Sequence, residues 1–175
     1  HTSAAPIAGH GAAPVFAIDV ARLGGMYANK IHLVGTEAGV GVRNAGTLGA
    51  TAGEVRVTVD GRLINQGTVI SGEHTLTVSA HGIDNAGTVS AGRNLMLTSQ
   101  GVSGDVANTG LLHAGRELVL DAAGQLSNQH GTLEAQRLEI DAERLLNDGG
   151  TLRQNGTQAL AISAGHVANS AGALI

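Results

Sequence analysis

The sequence has no cysteine, no tryptophan, one phenylalanine, one tyrosine, one lysine and only two prolines, Pro6 and Pro14. Without cysteine, and with no serine set in a nucleophile motif, covalent catalysis has no candidate. The lack of thiols suits an exported bacterial protein and suits a cytosolic one almost as well. So few aromatics cannot fill the wide centre of an ordinary globule. The 42% hydrophobic content is instead carried by Val, Leu, Ile and Ala, which suits a core that is narrow everywhere. After Pro14 every residue keeps its backbone N–H, so hydrogen-bonded ladders can run unbroken. No stretch approaches eighteen consecutive apolar residues, so no helical membrane span is expected. The start, His1-Thr-Ser-Ala-Ala-Pro6, lacks the basic and apolar regions of a signal peptide. Ten basic residues face fourteen acidic ones, a balance that argues against a nucleic-acid partner, which needs a basic surface.

Glycine, by contrast, fills 27 positions, and part of it is placed with a rhythm. Asn44-Ala-Gly46, Asn65-Gln-Gly67, Asn85-Ala-Gly87 and Asn108-Thr-Gly110 are followed by Asn128-Gln-His-Gly131, Asn147-Asp-Gly-Gly150 and Asn169-Ser-Ala-Gly172. The asparagines are 21, 20, 23, 20, 19 and 22 residues apart, a period in the range of solenoids. Two residues before each Asn stands an apolar residue: Val42, Leu63, Ile83, Val106, Leu126, Leu145 and Val167. Two residues after each marker glycine stands another: Leu48, Val69, Val89, Leu112, Leu133, Leu152 and Leu174. Between markers lie alternating segments such as Leu76-Thr-Val-Ser-Ala80 and Leu138-Glu-Ile-Asp-Ala142, the period-two pattern of a half-buried strand. No repeat has room for an amphipathic helix. One longer strand and two short apolar touches per repeat make three sides of a coil, so the predicted fold is all-β: a right-handed parallel β-helix with coils of about 20 residues.

In such a fold, Asn44, Asn65, Asn85, Asn108, Asn128, Asn147 and Asn169 form a structural corner. Their amides are expected to face inward and pass hydrogen bonds along the axis, as in cross-β ladders, with Asn85 and Asn128 the central members. The rival reading is a row of exposed turn asparagines. The marker glycines are expected to supply positive φ at a sharp corner. The longest interval carries Gln100-Gly-Val-Ser-Gly-Asp105, read as an outward loop, and Arg153-Gln-Asn-Gly156 reads as a tight turn.

Residues 23–46, LGGMYANKIHLVGTEAGVGVRNAG, closely resemble a segment of filamentous haemagglutinin and related exoproteins of bacterial two-partner secretion, including contact-dependent growth inhibition proteins. The downstream repeats, for example Asn85 to Gly92, are similar to haemagglutinin-type repeats. The resemblance implies a secreted or surface-exposed rod from a Gram-negative bacterium. It implies export through an outer-membrane two-partner secretion transporter, and contact with a receptor or glycan on a host or neighbouring cell. It further implies three stretches: 1–14 a lead-in, 15–46 the end of a secretion-domain-like helix, and 47–175 haemagglutinin-type repeats. The secretion domain's Asn-Pro motifs and a carboxy-terminal toxin domain are missing, and Gly172-Ala-Leu-Ile175 stops partway through a repeat. The chain is therefore expected to be an excerpt.

Some β-helices cleave acidic polysaccharides, which requires carboxylates gathered on one outer face. The best candidates are Asp121 and Asp141, at matching outward positions, with Glu139 nearby and Arg116, Arg137 and Arg144 to complete or neutralise the cluster. Arg93 and Arg116, each following Ala-Gly, form a second candidate, a short basic column for acidic glycans, with Arg137 one position out of step. A solvated acidic face and arginines that simply line a corner are the plainer readings. The eight histidines show no metal-ligand spacing. Gly39-Val-Gly41 does not begin a dinucleotide fingerprint, and Asn155-Gly-Thr157, a formal glycosylation sequon, reads as a turn. The expectation is a structural and adhesive rod, with no catalytic residue, metal or cofactor; a polysaccharide-active enzyme or a specific glycan-binding module is the alternative.

Overall fold

The computed structural model describes residues 15–21, 24–101 and 104–175. The lead-in 1–14, and positions 102 and 103 of the expected outward loop, lie outside the described residues. Among the described residues every regular element is a β-strand. The chain passes through three strands in each circuit. The first circuit has β1 (Phe16–Val20), β2 (Gly25–Ala28) and β3 (Ile31–Gly35); the second has β4 (Gly41–Asn44), β5 (Thr47–Ala50) and β6 (Val55–Val59). The third has β7 (Arg62–Asn65), β8 (Thr68–Ser71) and β9 (Leu76–Ala80); the fourth has β10 (Gly82–Asn85), β11 (Thr88–Ala91) and β12 (Asn94–Ser99). Next come β13 (Val106–Asn108) and β14 (Leu111–Ala114). Beyond them, β15 (Glu117–Gln129) runs without a break from one circuit's long strand into the next circuit's corner strand. β16 (Thr132–Ala135), β17 (Arg137–Asp148), β18 (Thr151–Gln154) and β19 (Ala161–Ser170) complete the chain.

Each strand pairs in parallel with its counterpart one circuit away. The short strands form a seven-stranded sheet in the order β18-β16-β14-β11-β8-β5-β2. The corner and long strands form two further stacks, joined where β15, β17 and β19 serve both. The chain is thus a parallel β-helix.

Register follows from burial: a one-residue slip would turn every aliphatic side chain outward. Ile83 pairs with Leu63 and Val106, and Val106 with Leu126, so the corner-strand aliphatics stand one above another. The same holds for Leu48, Val69, Val89, Leu112, Leu133 and Leu152 on the short strands, all buried. Two columns of small residues flank the aliphatic ones where the chain must turn. One is Ala50, Ser71, Ala91, Ala114 and Ala135, the other Ala80, Ser99, Ala122 and Ala142. This cross-section, aliphatic on the sides and small at the corners, explains how the fold dispenses with aromatics. In the final circuit Val167 and Leu174, which share the buried phase, are exposed because they have a neighbour on one side only.

Two expectations are corrected. The marker glycines do not serve positive φ: of the seven, only Gly172 has it. At Gly46, Gly67, Gly87 and Gly110 a Cβ would drive into the carbonyl oxygen of a glycine one circuit below. At Gly131 and Gly150 it would strike the side-chain amide of the Asn below as well as that residue's carbonyl. Glycine is needed there for close backbone approach. Left-handed backbone appears instead where the corner is one residue longer, at His130 (φ 56°) and Gly149 (φ 61°). The second correction concerns the tight turn at Arg153–Gly156. Arg153 and Gln154 belong to β18, paired with Glu134 and Ala135, and the chain leaves the sheet only from Asn155.

Candidate functional site

At the end of each corner strand from β4 to β19, the asparagine turns its amide toward the axis. Each Nδ2 donates to the Oδ1 of the next circuit's asparagine: Asn44 to Asn65 at 2.8 Å, Asn65 to Asn85 at 2.7 Å and Asn85 to Asn108 at 2.8 Å. The chain continues from Asn108 to Asn128 and Asn128 to Asn147 at 2.8 Å, and from Asn147 to Asn169 at 2.7 Å. The second amide hydrogen serves backbone carbonyls that the corner would otherwise strand. Asn85 donates to Gly87 O and Leu111 O, and Asn128 to Gly131 O and Thr151 O. The six members from Asn44 to Asn147 are buried, whereas Asn169 is exposed. An asparagine amide carries an acceptor and two donors on one short arm, so it can receive from one neighbour, give to the other and still serve a backbone carbonyl, which a hydroxyl with its single donor cannot.

The relay starts abruptly. Val20 occupies the position opposite Asn44 in the preceding circuit. Asn44 Oδ1, fully buried, has no donor among the described residues. The β1–β4 pairing is itself irregular, its register shifting between Phe16 and Ile18. Outside this circuit Arg43 clamps Asp19, holding its carboxyl below the usual value, and its guanidinium lies 5.1 Å from the Phe16 ring centre. These axial ion pairs, like Arg62 with Asp84 and Lys30 with Glu54, had no signal in the repeat pattern, since they need the register to be known first.

The acidic candidates do meet. Asp121 and Asp141 are paired across β15 and β17, both exposed, with Thr98 and Ser163 continuing the column. Of the arginines proposed to complete or neutralise the cluster, only Arg137 reaches a member of it, Glu139, among the described residues. Arg137 bridges Glu117 at 3.1 Å and Glu139 at 3.0 Å, while Arg144 and Arg116 make no ion pair among the described residues. Arg93 and Arg116 lie on adjacent circuits, joined by the bond from Arg116 N to Arg93 O at 2.8 Å. Only Arg116 enters a polar cleft of about 370 Å³, together with Glu117, Arg137, Asn94, Gln136 and Gln158. Gln154, which sequence reasoning passed over, shapes this cleft. Its Oε1 accepts from Leu138 N at 2.9 Å and its Nε2 donates to Gln158 O. The available clue was a long amide falling in the small-residue column of Ala114 and Ala135. His81 contacts Asp60 at 3.0 Å and Ser90 Oγ lies 3.2 Å from His113 Nδ1, each pair spanning two circuits.

A family model for the haemagglutinin repeat matches residues 3–67 and 50–175. The chain belongs to the haemagglutinin-repeat family. Members of this family are secreted, cell-surface exoproteins. Among curated haemagglutinin-repeat relatives, a tRNA nuclease CdiA of Yersinia mollaretii is 36% identical over 163 residues, covering 93% of this chain and 5% of that protein. A Toxin CdiA of Escherichia coli is 36% identical over 148 residues, 82% of this chain and 4% of its own length. The Toxin CdiA of Yersinia pestis is 53% identical over 74 residues, 42% of this chain and 2% of the whole. The chain thus spans a few per cent of these relatives, and the nuclease in a relative's name does not pass to it. No solved structure matches this haemagglutinin-repeat chain significantly.

Proposed function

We propose that this haemagglutinin-repeat chain is a stiff spacer in a filamentous exoprotein, a stalk that holds a toxin-bearing region away from the producing cell. The observation that carries the reading is the uninterrupted register. Seven stacked short strands and six successive amide-to-amide bonds tie each circuit to the next. At about 4.8 Å per circuit, seven circuits give a rod of roughly 35 Å. Relatives that bear toxin or nuclease names align with it over most of its length, which supports a presenting role. An outer-membrane transporter is the partner that family membership implies for export, and each circuit formed outside would template the next.

Within the rod we place a boundary near residue 46, with 15–46 as the end of a secretion-domain-like helix and 47–175 as repeats. The support is local: Val20 stands outside the amide relay and β1 pairs irregularly. The haemagglutinin-repeat match runs across this point, so the boundary is a change in the corner rather than in the fold.

The spacer reading is tested by deletion in phase and out of phase within the parent exoprotein. Removing residues 66–85 joins Asn65 to Ala86 and deletes one full period of 20 residues; secretion and toxin delivery should survive. Removing residues 66–75 breaks the register and should abolish surface display. Equal loss from both deletions would overturn the spacer role.

A further inference from the structure

The corner between the short and long strands is tight in the middle circuits: two residues separate β14 from β15, and Gln136 alone separates β16 from β17. Above them, residues 155–160 intervene between β18 and β19 and overhang the corner. That overhang is fastened. Asn155 N donates to Ala135 O and Gly156 N to Gln136 O, both at 2.9 Å, Asn155 Nδ2 donates to Glu134 Oε1, and Gln154 holds Gln158. The cleft beneath it is therefore built before any ligand arrives, which spares the cost of ordering it.

Its charge is unbalanced in one place. Arg137 is occupied by Glu117 and Glu139, and Glu117 by Arg137. Arg116 lines the same space with no carboxylate partner among the described residues. Around it stand the amides of Asn94, Gln136 and Gln158 and the Thr157 hydroxyl, which can both give and accept hydrogen bonds. A guanidinium matches a carboxylate with two parallel bonds. One guanidinium without an ion-pair partner fits a monoanion; a dianion would leave a charge facing Glu117. An apolar ligand would find no aliphatic or aromatic side chain in the lining to pack against.

We propose that this cleft binds a monocarboxylated sugar, a uronate unit of a surface polysaccharide, with Arg116 taking the carboxylate and the amides and Thr157 taking the hydroxyls. With no aromatic ring to stack a sugar, the affinity is weak, on the order of millimolar, and gains strength only through repeated units along a polymer. The site goes beyond the spacer reading and stands or falls apart from it.

The test is titration of the ¹⁵N-labelled chain at pH 7.5 with galacturonate, glucuronate, glucose and glucose 6-phosphate, reading the Arg Nε–Hε and backbone signals. The uronates should shift signals of Arg116, Gln136 and Gln158, glucose and the dianionic sugar phosphate much less. Arg116→Gln should weaken uronate binding roughly ten- to a hundredfold, the worth of a charge-assisted bond. Arg93→Gln, one circuit below and outside the cleft, should leave it unchanged. A folded Gln158→Ala variant should weaken uronate and leave chloride effects untouched. Equal responses to all four sugars, equal loss from the two arginine variants, or no response to any uronate at tens of millimolar would each overturn the proposal.

Discussion

Replacing Asn85 by Asp should destabilise the rod more than replacing it by Ala, although Asp matches the shape of Asn. Asn85 is 2% exposed. It accepts from Asn65 and donates to Asn108 Oδ1 at 2.8 Å, Leu111 O at 3.1 Å and Gly87 O at 3.2 Å. Asn85→Ala strips Asn108 Oδ1 of its donor and leaves a small void; at about 1–3 kcal/mol per orphaned group the cost is about 2–4 kcal/mol. Asn85→Asp keeps the volume but turns an oxygen toward three oxygens and buries a charge. The introduced carboxyl escapes by binding a proton, so its added cost has a ceiling. From an unfolded pKa near 3.9 to pH 7 at 1.36 kcal/mol per unit, that ceiling is about 4 kcal/mol. The sign is diagnostic. A folded-state pKa raised above the unfolded value leaves the penalty absent below about pH 4 and growing as pH rises. Chemical unfolding followed by circular dichroism at pH 4.5 and 7 would measure it, with hydrogen exchange over residues 65–128 to catch local opening, since a solenoid need not unfold as one unit. If the Asp variant matches wild type, or is milder than Ala at pH 7 with no gain on acidification, the amides are ordinary surface groups and the relay carries no stability.

Gly87→Ala should cost more than about 3 kcal/mol, because the new Cβ meets a backbone carbonyl that no rotamer change can move. Gly39→Ala, at φ 77° with open space around it, should cost only about 1–2 kcal/mol from its left-handed backbone; thermal melts showing the reverse order would sink the close-approach argument. Val20→Asn should raise the stability of the first circuits, read as slower hydrogen exchange in β4, by giving Asn44 Oδ1 its missing donor; faster exchange there would count against it. Asp19 and Glu54 are held below their ordinary values mainly by hydrogen bonds from Arg43 and Lys30. Depressed folded values mean the contribution exists above the unfolded pKa and fades as pH falls through the carboxylate range. Both carboxylates reach solvent, Asp19 exposed and Glu54 half-buried, so the acid loss should be small and should shrink in 1 M salt; a salt-independent acid transition would show that other carboxylates govern it.

Periodicity made the axial stacking legible because each marker reports the same physical event, the chain returning to one corner. Ile83 above Leu63 and Asn85 above Asn65 needed only the phase. What the glycines do was not legible. Positive φ and close approach both demand glycine, and only the position of the Gly67 carbonyl beneath Gly87 separates them. The pairing of Asp121 with Asp141 could be read from strand phase, whereas the attachment of Arg137 to Glu117 could not. Long side chains reach across circuits in directions that alternation does not encode.

The inner and outer columns obey different rules, and that difference links fold to role. An inner position is constrained by the circuits on both sides, so one misfit strains two interfaces. Hence Asn recurs in the relay from Asn44 to Asn169, and the aliphatic column beside it admits only Val, Leu and Ile. An outer position answers to water. The outward column of the short strands runs Ile70, Ser90, His113, Glu134 and Arg153, with no chemical theme. A β-helix built this way can lengthen by whole circuits and change its surface without touching its buried columns. Any binding site it carries must arise where a circuit departs from the standard path, as residues 155–160 do above Arg116.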